Sequence, residues 1–297
     1  MGPDLSVAPA VAEAENKRMR KLMIATMIGM TVTAAVVSAP AAHAASKHLV
    51  EFEKMTWVEV KDALAAGQTT ALIYTGGVEQ RGPQNANGGH NLIGHATVDA
   101  IARKLGNAIY LPVLPFTPNN ASAELPGTIG ITNDILATLL ERLADQAIVT
   151  GFKNVILMGD HGGGQPTVYS NVAKKMNDKY SPQGIHVYYC DRVYTAASDA
   201  FEAYMATLGL PQDLHGGISD TSEIMYLDKD GTWVRKSLLK TAVGDPVVDG
   251  KPQIGANSPH NGITGDARRS SAELGKKYMD MKVEYAVKQI RELVGGS

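Results

Sequence analysis

The stretch 154–165, which reads NVILMGDHGGGQ, joins a short apolar run to a glycine-rich turn. The run over 154–158 is short and contains β-branched residues, so it predicts a buried strand. Pro166 suits the first turn of a helix, and the spacing after it predicts one. A strand that ends in Asp160-His161 and leads through glycines into a helix is typical of α/β sheets, which place chemistry at the carboxyl ends of their strands. The alternative is a glycine-rich connection with an incidental histidine.

Strands and helices alternate along the rest of the chain. Because of this alternation, the sequence predicts an α/β fold with a mostly parallel central sheet and helices on both faces. No internal repeat or low-complexity linker divides residues 45–297, so they are predicted to form a single domain. The predicted strands cover 69–74, 108–114, 154–158 and 185–190; the predicted helices cover 57–66, 92–105, 133–149, 167–180, 196–208 and 267–294, with a short regular segment at 221–227.

Charge and cysteine content exclude some classes of function. The formal net charge is −2, so no global positive field points to nucleic acid or to an anionic membrane as a partner. Cys190 is the only cysteine, and therefore no internal disulfide can form. Its place at the end of a strand-like run favours packing in the core over a nucleophilic role.

The first residues have the three-part pattern of a secretory signal peptide. A basic cluster at 17–21 precedes an uncharged, largely apolar run at 22–37, and Ala42-His43-Ala44 follows as a cleavage signal. A membrane anchor is the alternative, but the run is shorter than the ~20 residues that a spanning helix needs. We therefore expect residues 1–44 to be removed near Ala44 and the mature protein to be exported to a periplasm. Met1 and Met19 both remain candidate start positions.

Loops at or near the strand ends carry residues that bind metals. Carboxylate and imidazole together suit Zn²⁺ or a similar divalent ion, which would lower the pKa of a bound water and polarise a substrate carbonyl. No two of these histidines have the HxxxH spacing that brings two ligands together on a helix. Each histidine could therefore also be a surface residue or a packing residue. The candidates are Glu79 and His90 in the first loop, Asp160 and His161 in the second, and His215 and Asp220 in the third.

Five motifs occur in order along the chain: VEQRG at 78–82, PGTIGI at 126–131, GDHGGG at 159–164, HGGISDTS at 215–222 and GITGDARRSSAELG at 262–275. Together they resemble the creatininase (creatinine amidohydrolase) family over residues 57–289. The resemblance implies a three-layer α/β/α fold and a metal-dependent hydrolase of C–N bonds in small amides, including cyclic ones. It also implies two neighbouring divalent ions and a homo-oligomer, often a hexamer.

Departures from the family pattern predict one metal ion instead of two. Arg81 stands where the family has a histidine ligand, and a guanidinium cannot act as an ordinary metal ligand. His90 stands where the family has a bridging aspartate. Glu79, His90 and His161 would still form an open site with two histidines and one carboxylate, which favours zinc, with manganese as the alternative.

The remaining site residues are assigned by chemistry. Arg81 is expected to stabilise an oxyanion or to bind a substrate carboxylate, and its alternative is a salt bridge to Asp160 or Asp220. His215 is a candidate proton donor to the leaving nitrogen, and Asp220 a further ligand or a general base. Asp160 is expected to orient one of the histidines.

The residues predicted to contact substrate are Asn119 and Asn120 in the loop after the second strand and Gln165 after the glycines. For the two asparagines, turn formation is the commoner use.

The preferred interpretation is an exported, metal-dependent hydrolase in which an activated water attacks the carbonyl of a small-molecule amide. We expect no nucleic-acid partner, and no membrane partner after the signal peptide is removed. One alternative is a family member that has lost catalysis and binds a small ligand in the same pocket. Another is a hydrolase of a lactone or a peptide.

Overall fold

The computed structural model describes residues 49–295. These described residues belong to one compact unit. The predicted signal peptide at 1–44 lies outside the described residues and stays a prediction. No helix within 49–295 is long and apolar enough to cross a membrane.

Strands and helices alternate as the sequence predicts. The main sheet contains β1 (Thr70–Thr75), β2 (Ala108–Tyr110), β3 (Asn154–Gly159) and β4 (His186–Tyr189), and a separate small hairpin contains β5 (Val247–Val248) and β6 (Lys251–Pro252). The helices are α1 (Trp57–Ala65), α2 (Gly89–Leu105), α3 (Asn133–Thr150), α4 (Gln165–Tyr180), α5 (Thr195–Thr207), α6 (Ile218–Leu227) and α7 (Ala272–Gly295).

The main sheet is parallel throughout, with strand order β2-β1-β3-β4. Strands β1 and β3 form its centre and pair over their whole length, from Thr70 opposite Asn154 to Thr75 opposite Gly159. Because all four strands run the same way, their carboxyl ends meet at one edge. The loops that follow β1 and β3 therefore lie side by side.

Helices cover both faces of the sheet, which confirms the predicted α/β/α class. The central strands are apolar at nearly every position because alternate side chains point into different helical layers. One layer packs α2 and α7 against Leu72, Tyr74, Ile156 and Met158. The other packs α3 and α4 against Ala71, Ile73, Val155 and Leu157.

Some element ends differ from the predicted ones, and the main difference places His90 on a helix. Helix α2 begins at Gly89 and not at residue 92, so His90 lies in its first turn instead of a loop. The preceding segment is rich in Gly and Asn and has no apolar periodicity. Its helical start is supported by tertiary contact, because Gly89 lies against Arg81 and Ile224. Strand β2 ends at Tyr110, before the predicted end at 114.

Helices α6 and α7 approach each other closely at Gly275. A Cβ atom built on Gly275 would lie 1.9 Å from the carbonyl oxygen of Ser222, which is far inside van der Waals contact. The neighbour is backbone and cannot rotate away, so only glycine allows this approach. The contact matters for the site described below, because α6 and α7 both contribute charged residues to it.

We expect Gly275→Ala to lower the free energy of unfolding by about 1–3 kcal/mol, because an added methyl group must push two helices apart. Urea denaturation of the variant and the parent measures the change. Gly255→Ala is the control, since a Cβ at Gly255 would meet nothing within 4 Å. Equal midpoints for the two variants would contradict the close-approach argument.

Candidate metal centre

Three candidate ligands converge at the carboxyl edge of the sheet. Glu79 lies in the loop after β1, His161 lies in the loop after β3, and His90 lies in the first turn of α2. One potential ligand atom from each residue lies within 4.8 Å of the others, and all three side chains are buried. Residues that are far apart in sequence therefore form a single group with two imidazoles and one carboxylate.

Glu79 is the common partner in this group. Its Oε1 accepts a hydrogen bond from His90 Nε2 at 2.8 Å, and its Oε2 accepts one from His161 Nε2 at 2.8 Å. Asn119 Nδ2 donates a third, at 2.6 Å, to Oε2. Burial by itself would raise the pKa of Glu79, but the hydrogen bonds from the two histidines outweigh it and hold the pKa well below the usual range. Glu79 is therefore a carboxylate at neutral pH.

Asp160 forms a hydrogen bond with the His90 ring nitrogen that faces away from Glu79. His90 Nδ1 donates to Asp160 Oδ1 at 3.2 Å, which leaves Nε2 directed at Glu79. Burial and the nearby Arg81 oppose the charged form of His90, but Asp160 and Glu79 outweigh them and raise its pKa. A carboxylate behind a histidine is the usual support for a metal-binding imidazole. The predicted orienting role of Asp160 requires this contact, and the role itself stays a prediction.

The group fits a divalent cation. Two histidines and one carboxylate are a common ligand set for zinc and for other first-row metals, whose ligand atoms lie about 2.0–2.2 Å from the ion. His161 Nδ1 accepts the backbone N–H of Gly163 at 2.9 Å, so its proton lies on Nε2, which faces Glu79. A cation bound through Nε2 would displace this proton, and binding would release protons to solvent.

Arg81 is buried next to this group and forms an ion pair with Asp220. Only 1% of Arg81 is exposed. The salt-bridge alternative is therefore observed with Asp220, whose other oxygen accepts the backbone N–H of Gly216 at 2.7 Å. Within residues 49–295, Arg81 Nε and Nη1 have no hydrogen-bond partner. The absence of a side chain at Gly89 makes room for the guanidinium, since a Cβ there would lie 2.9 Å from Nη1.

His215 directs one nitrogen at the candidate ligands. Its Nε2 lies 2.7 Å from the carbonyl oxygen of Gln80. A carbonyl can only accept, so Nε2 carries the proton and Nδ1 holds the lone pair in the neutral ring. Nδ1 lies 3.8 Å from Glu79 Oε1. The unprotonated nitrogen of His215 is therefore available for proton transfer beside the group.

Two of the three predicted substrate contacts, Gln165 and Asn120, lie outside the cavity that surrounds the site. Gln165 is buried: its Nε2 donates to Thr117 Oγ1 at 2.6 Å, and its Oε1 accepts the backbone N–H of His161 at 3.3 Å. It holds the His161 loop in place. Asn120 is exposed, and its backbone N–H donates to Asn119 Oδ1 at 2.8 Å. It is Asn119, and not Asn120, that lines the cavity.

The cavity has a volume of about 760 Å³. Its inner wall contains all the predicted ligand and catalytic residues, which are Glu79, Arg81, His90, Asp160, His161, His215 and Asp220. Sequence reasoning missed Glu223 and Lys282, which also line it. One signal for Glu223 was available, because a residue three positions after Asp220 lies on the same helix face. Lys282 gave only a weak signal, a lysine within a predicted amphipathic helix.

Lys282 is the centre of a buried charge cluster. Only 2% of its surface is exposed. Its Nζ lies 2.7 Å from Glu223 Oε2 and 3.4 Å from Asp160 Oδ2, and it lies 4.4 Å from the centre of the Tyr278 ring. Burial opposes the ammonium form, but Glu223 and the other neighbours outweigh it and raise the pKa of Lys282. The lysine therefore stays charged and offsets two carboxylates, one of which supports His90.

We expect Lys282→Met to lower the free energy of unfolding by about 3–5 kcal/mol, because it leaves buried carboxylates without their cation. Adding Glu223→Gln to Lys282→Met should recover part of that loss, since the two changes act on one pair. Urea denaturation of the single and double variants measures both effects. Lys276→Met is the control on the same helix, where an exposed lysine pairs with Asp280. A loss no larger than that of the control would contradict the charge-cluster interpretation.

Known proteins share both the sequence pattern and the fold. The profile of the creatininase family, described as creatinine amidohydrolase, matches residues 53–290. A creatinine amidohydrolase from Pseudomonas putida is 22% identical over 251 residues, which cover 80% of this chain and 95% of that protein. A solved structure described as creatininase with Mn has a TM-score of 0.66 at 20% identity, covering 82% of this chain and 98% of its own.

A mutant creatininase described as Zn-Zn type has a TM-score of 0.65 at 19% identity, with 82% of this chain and 98% of that chain covered. At this level of identity the two structural matches show a shared fold. The family profile spans most of the chain and agrees with that fold. The chain therefore belongs to the creatininase family, as a creatininase-type amidohydrolase.

Proposed function

We propose that this protein is an exported hydrolase of a C–N bond in a small amide and works with one divalent ion held by Glu79, His90 and His161. The observation that carries the proposal is the convergence of these three ligand atoms within 4.8 Å, at the sheet edge where α/β folds place their sites. Family membership supplies the reaction class.

Two observations support one ion instead of two. Glu79, His90 and His161 are the one group of at least three potential ligands found within residues 49–295. Arg81, a permanent cation, is buried beside them and acts electrostatically on both Glu79 and Asp160. A second cation close to Arg81 would be repelled in a poorly screened environment. Zinc is the preferred ion because of the two imidazoles, and manganese is the alternative.

The residues of the chain can each perform a defined part of amide hydrolysis. When bound, a divalent ion supplies Lewis-acid chemistry, polarising a carbonyl and making water acidic enough to react near neutral pH. His215 Nδ1 is placed to take a proton from the attacking water and to pass it to the leaving nitrogen. The unpartnered N–H groups of Arg81 are donors for the carbonyl oxygen as negative charge develops on it.

Asp220 has a different role from the base or ligand that its sequence position suggests. One of its oxygens binds Arg81 and the other accepts the backbone N–H of Gly216. A carboxylate with both oxygens engaged is better suited to holding the guanidinium in place than to removing protons. We assign Asp220 as the positioning residue for Arg81.

Location and assembly are proposed on other grounds. The basic, apolar and small-residue segments of the first 44 residues support export with cleavage near Ala44. Homo-oligomer formation, as a hexamer, follows from the family resemblance.

We expect the purified mature protein to bind one zinc or manganese ion per chain, because residues 49–295 contain one such ligand set. His161→Ala should lose both the ion and the hydrolysis of amides, since it removes one of three ligands. Elemental analysis measures the ion content, and release of amine or ammonia from a panel of linear and cyclic amides, creatinine included, measures activity. His95→Ala, at an exposed position on α2, is the control that should retain both.

Other outcomes of this experiment are informative. Two tightly bound ions per chain would contradict the single-ion proposal. Metal-free protein that binds small amides without hydrolysing them would favour the alternative in which catalysis has been lost.

We expect Arg81→Lys to lower kcat/KM by about a hundredfold while the ion content stays unchanged. Lysine keeps the positive charge but loses the planar fork of donors that can hold Asp220 and also face a developing oxyanion. Steady-state kinetics on the best amide of the panel, with elemental analysis of the same sample, separate the two effects. Arg103→Lys, an exposed change on α2, is the matched control. Unchanged kcat/KM in Arg81→Lys would remove Arg81 from the mechanism.

A further inference from the structure

One face of helix α5 forms part of the cavity wall. Thr195, Ser198, Asp199, Glu202 and Met205 all line the cavity, and their spacing of three and four residues places them along one side of the helix. Asp199 and Glu202 are therefore neighbours on this wall. Asp213, from the loop before α6, lines the same cavity. We call Asp199, Glu202 and Asp213 the acidic wall.

Negative charge on the acidic wall is not balanced by the protein. The cavity lining contains seven carboxylates and two permanent cations. Both cations are already paired with other carboxylates, Arg81 with Asp220 and Lys282 with Glu223. Among the residues that the structure describes, no ion pair involves a member of the acidic wall. Even a divalent ion at the candidate centre would leave the cavity with excess negative charge.

A second observation in the same cavity also points to a ligand with donors. Glu223 is 1% exposed, and its Oε1 has no hydrogen-bond partner within residues 49–295. A buried carboxylate oxygen without a donor is costly, and an N–H group of a bound molecule would supply the donor. Burial above all, with smaller contributions from Asp220 and Glu202, raises the pKa of Asp213 to about 7, so this member of the acidic wall is only partly charged at neutral pH.

Arg81 provides the complementary end of the binding site. Arg81 lines the cavity and its guanidinium only donates hydrogen bonds, whereas the acidic wall and Glu223 offer acceptors. A ligand that satisfies both sets needs an acceptor at one position and a positively charged donor at another. An amide that also carries a protonated amine has this combination.

We propose that the substrate is an amide bearing a protonated amine, and that the ammonium group binds against Asp199, Glu202 and Asp213. This inference rests on the proposed amide hydrolysis, since it names the class of amide. A cleft lined by one sign of charge attracts ligands of the opposite sign, and the electrostatic attraction is stronger there than between the same charges in bulk water.

The test compares three ligands of similar shape and different charge: para-(aminomethyl)benzamide, the uncharged para-ethylbenzamide and the anionic para-carbamoylbenzoate. Calorimetric titration of the metal-loaded mature protein measures binding, and amine or ammonia release measures hydrolysis separately. We expect the cationic amide to bind about tenfold more tightly than the uncharged one, and the anionic amide to bind most weakly. Glu202→Gln should reduce the cationic preference severalfold, whereas Glu53→Gln, an exposed change outside the cavity, should retain it.

The outcomes separate this inference from the proposed function. Hydrolysis of all three amides without a preference for the cation would overturn the inference and leave amide hydrolysis standing. Selective binding of the cationic amide without turnover of any amide would support the acidic wall and count against hydrolysis. Equal affinities, tighter binding of the anion, failure of all three to bind, or an unchanged preference in Glu202→Gln would overturn the acidic wall as a site for ammonium.

Discussion

The carboxylate of Glu79 connects the loops at the active edge of the sheet. It accepts hydrogen bonds from His90, His161 and Asn119, which come from a helix start and two different strand-end loops. Parallel strands make this meeting possible because β1 and β3 end side by side. Each histidine is in turn held by a second contact, His90 by Asp160 and His161 by Gly163. The group is therefore pre-organised to bind a cation with little rearrangement.

Charge compensation determines what else can surround this group. Lys282 reaches between Asp160 and Glu223 from α7, while Asp220 reaches Arg81 from α6. The Lys282–Glu223 contact joins α7 to α6, which approach each other closely at Gly275, so packing between these helices contributes to the electrostatics of the site. Both buried cations offset carboxylates that would otherwise be too costly to ionise. The carboxylates left over are those of the acidic wall.

The chain combines family membership with a buried permanent cation beside its candidate metal ligands. Known creatininase structures with the same fold are described with Mn or as Zn-Zn type. Here Arg81 introduces a permanent positive charge beside the ligand set, and Gly89 provides the space for it. A guanidinium differs from a metal ion in that it donates hydrogen bonds in fixed directions and binds no water as a ligand. This difference is the physical basis for expecting one ion and a distinct substrate.

The sequence by itself determined the fold class and the identity of the three converging residues. Strand and helix periodicities are local properties of a chain, and the order of strands and helices implies a parallel sheet whose carboxyl ends share one edge. Tertiary structure decided the rest, because the remaining features depend on contacts between segments distant in sequence. It selected Asp220 as the partner of Arg81, began α2 at Gly89, and gave Gln165 a supporting role behind His161. It also paired Lys282 on α7 with Glu223 on α6. These residues are 59 positions apart in the sequence, so no local pattern encodes their contact.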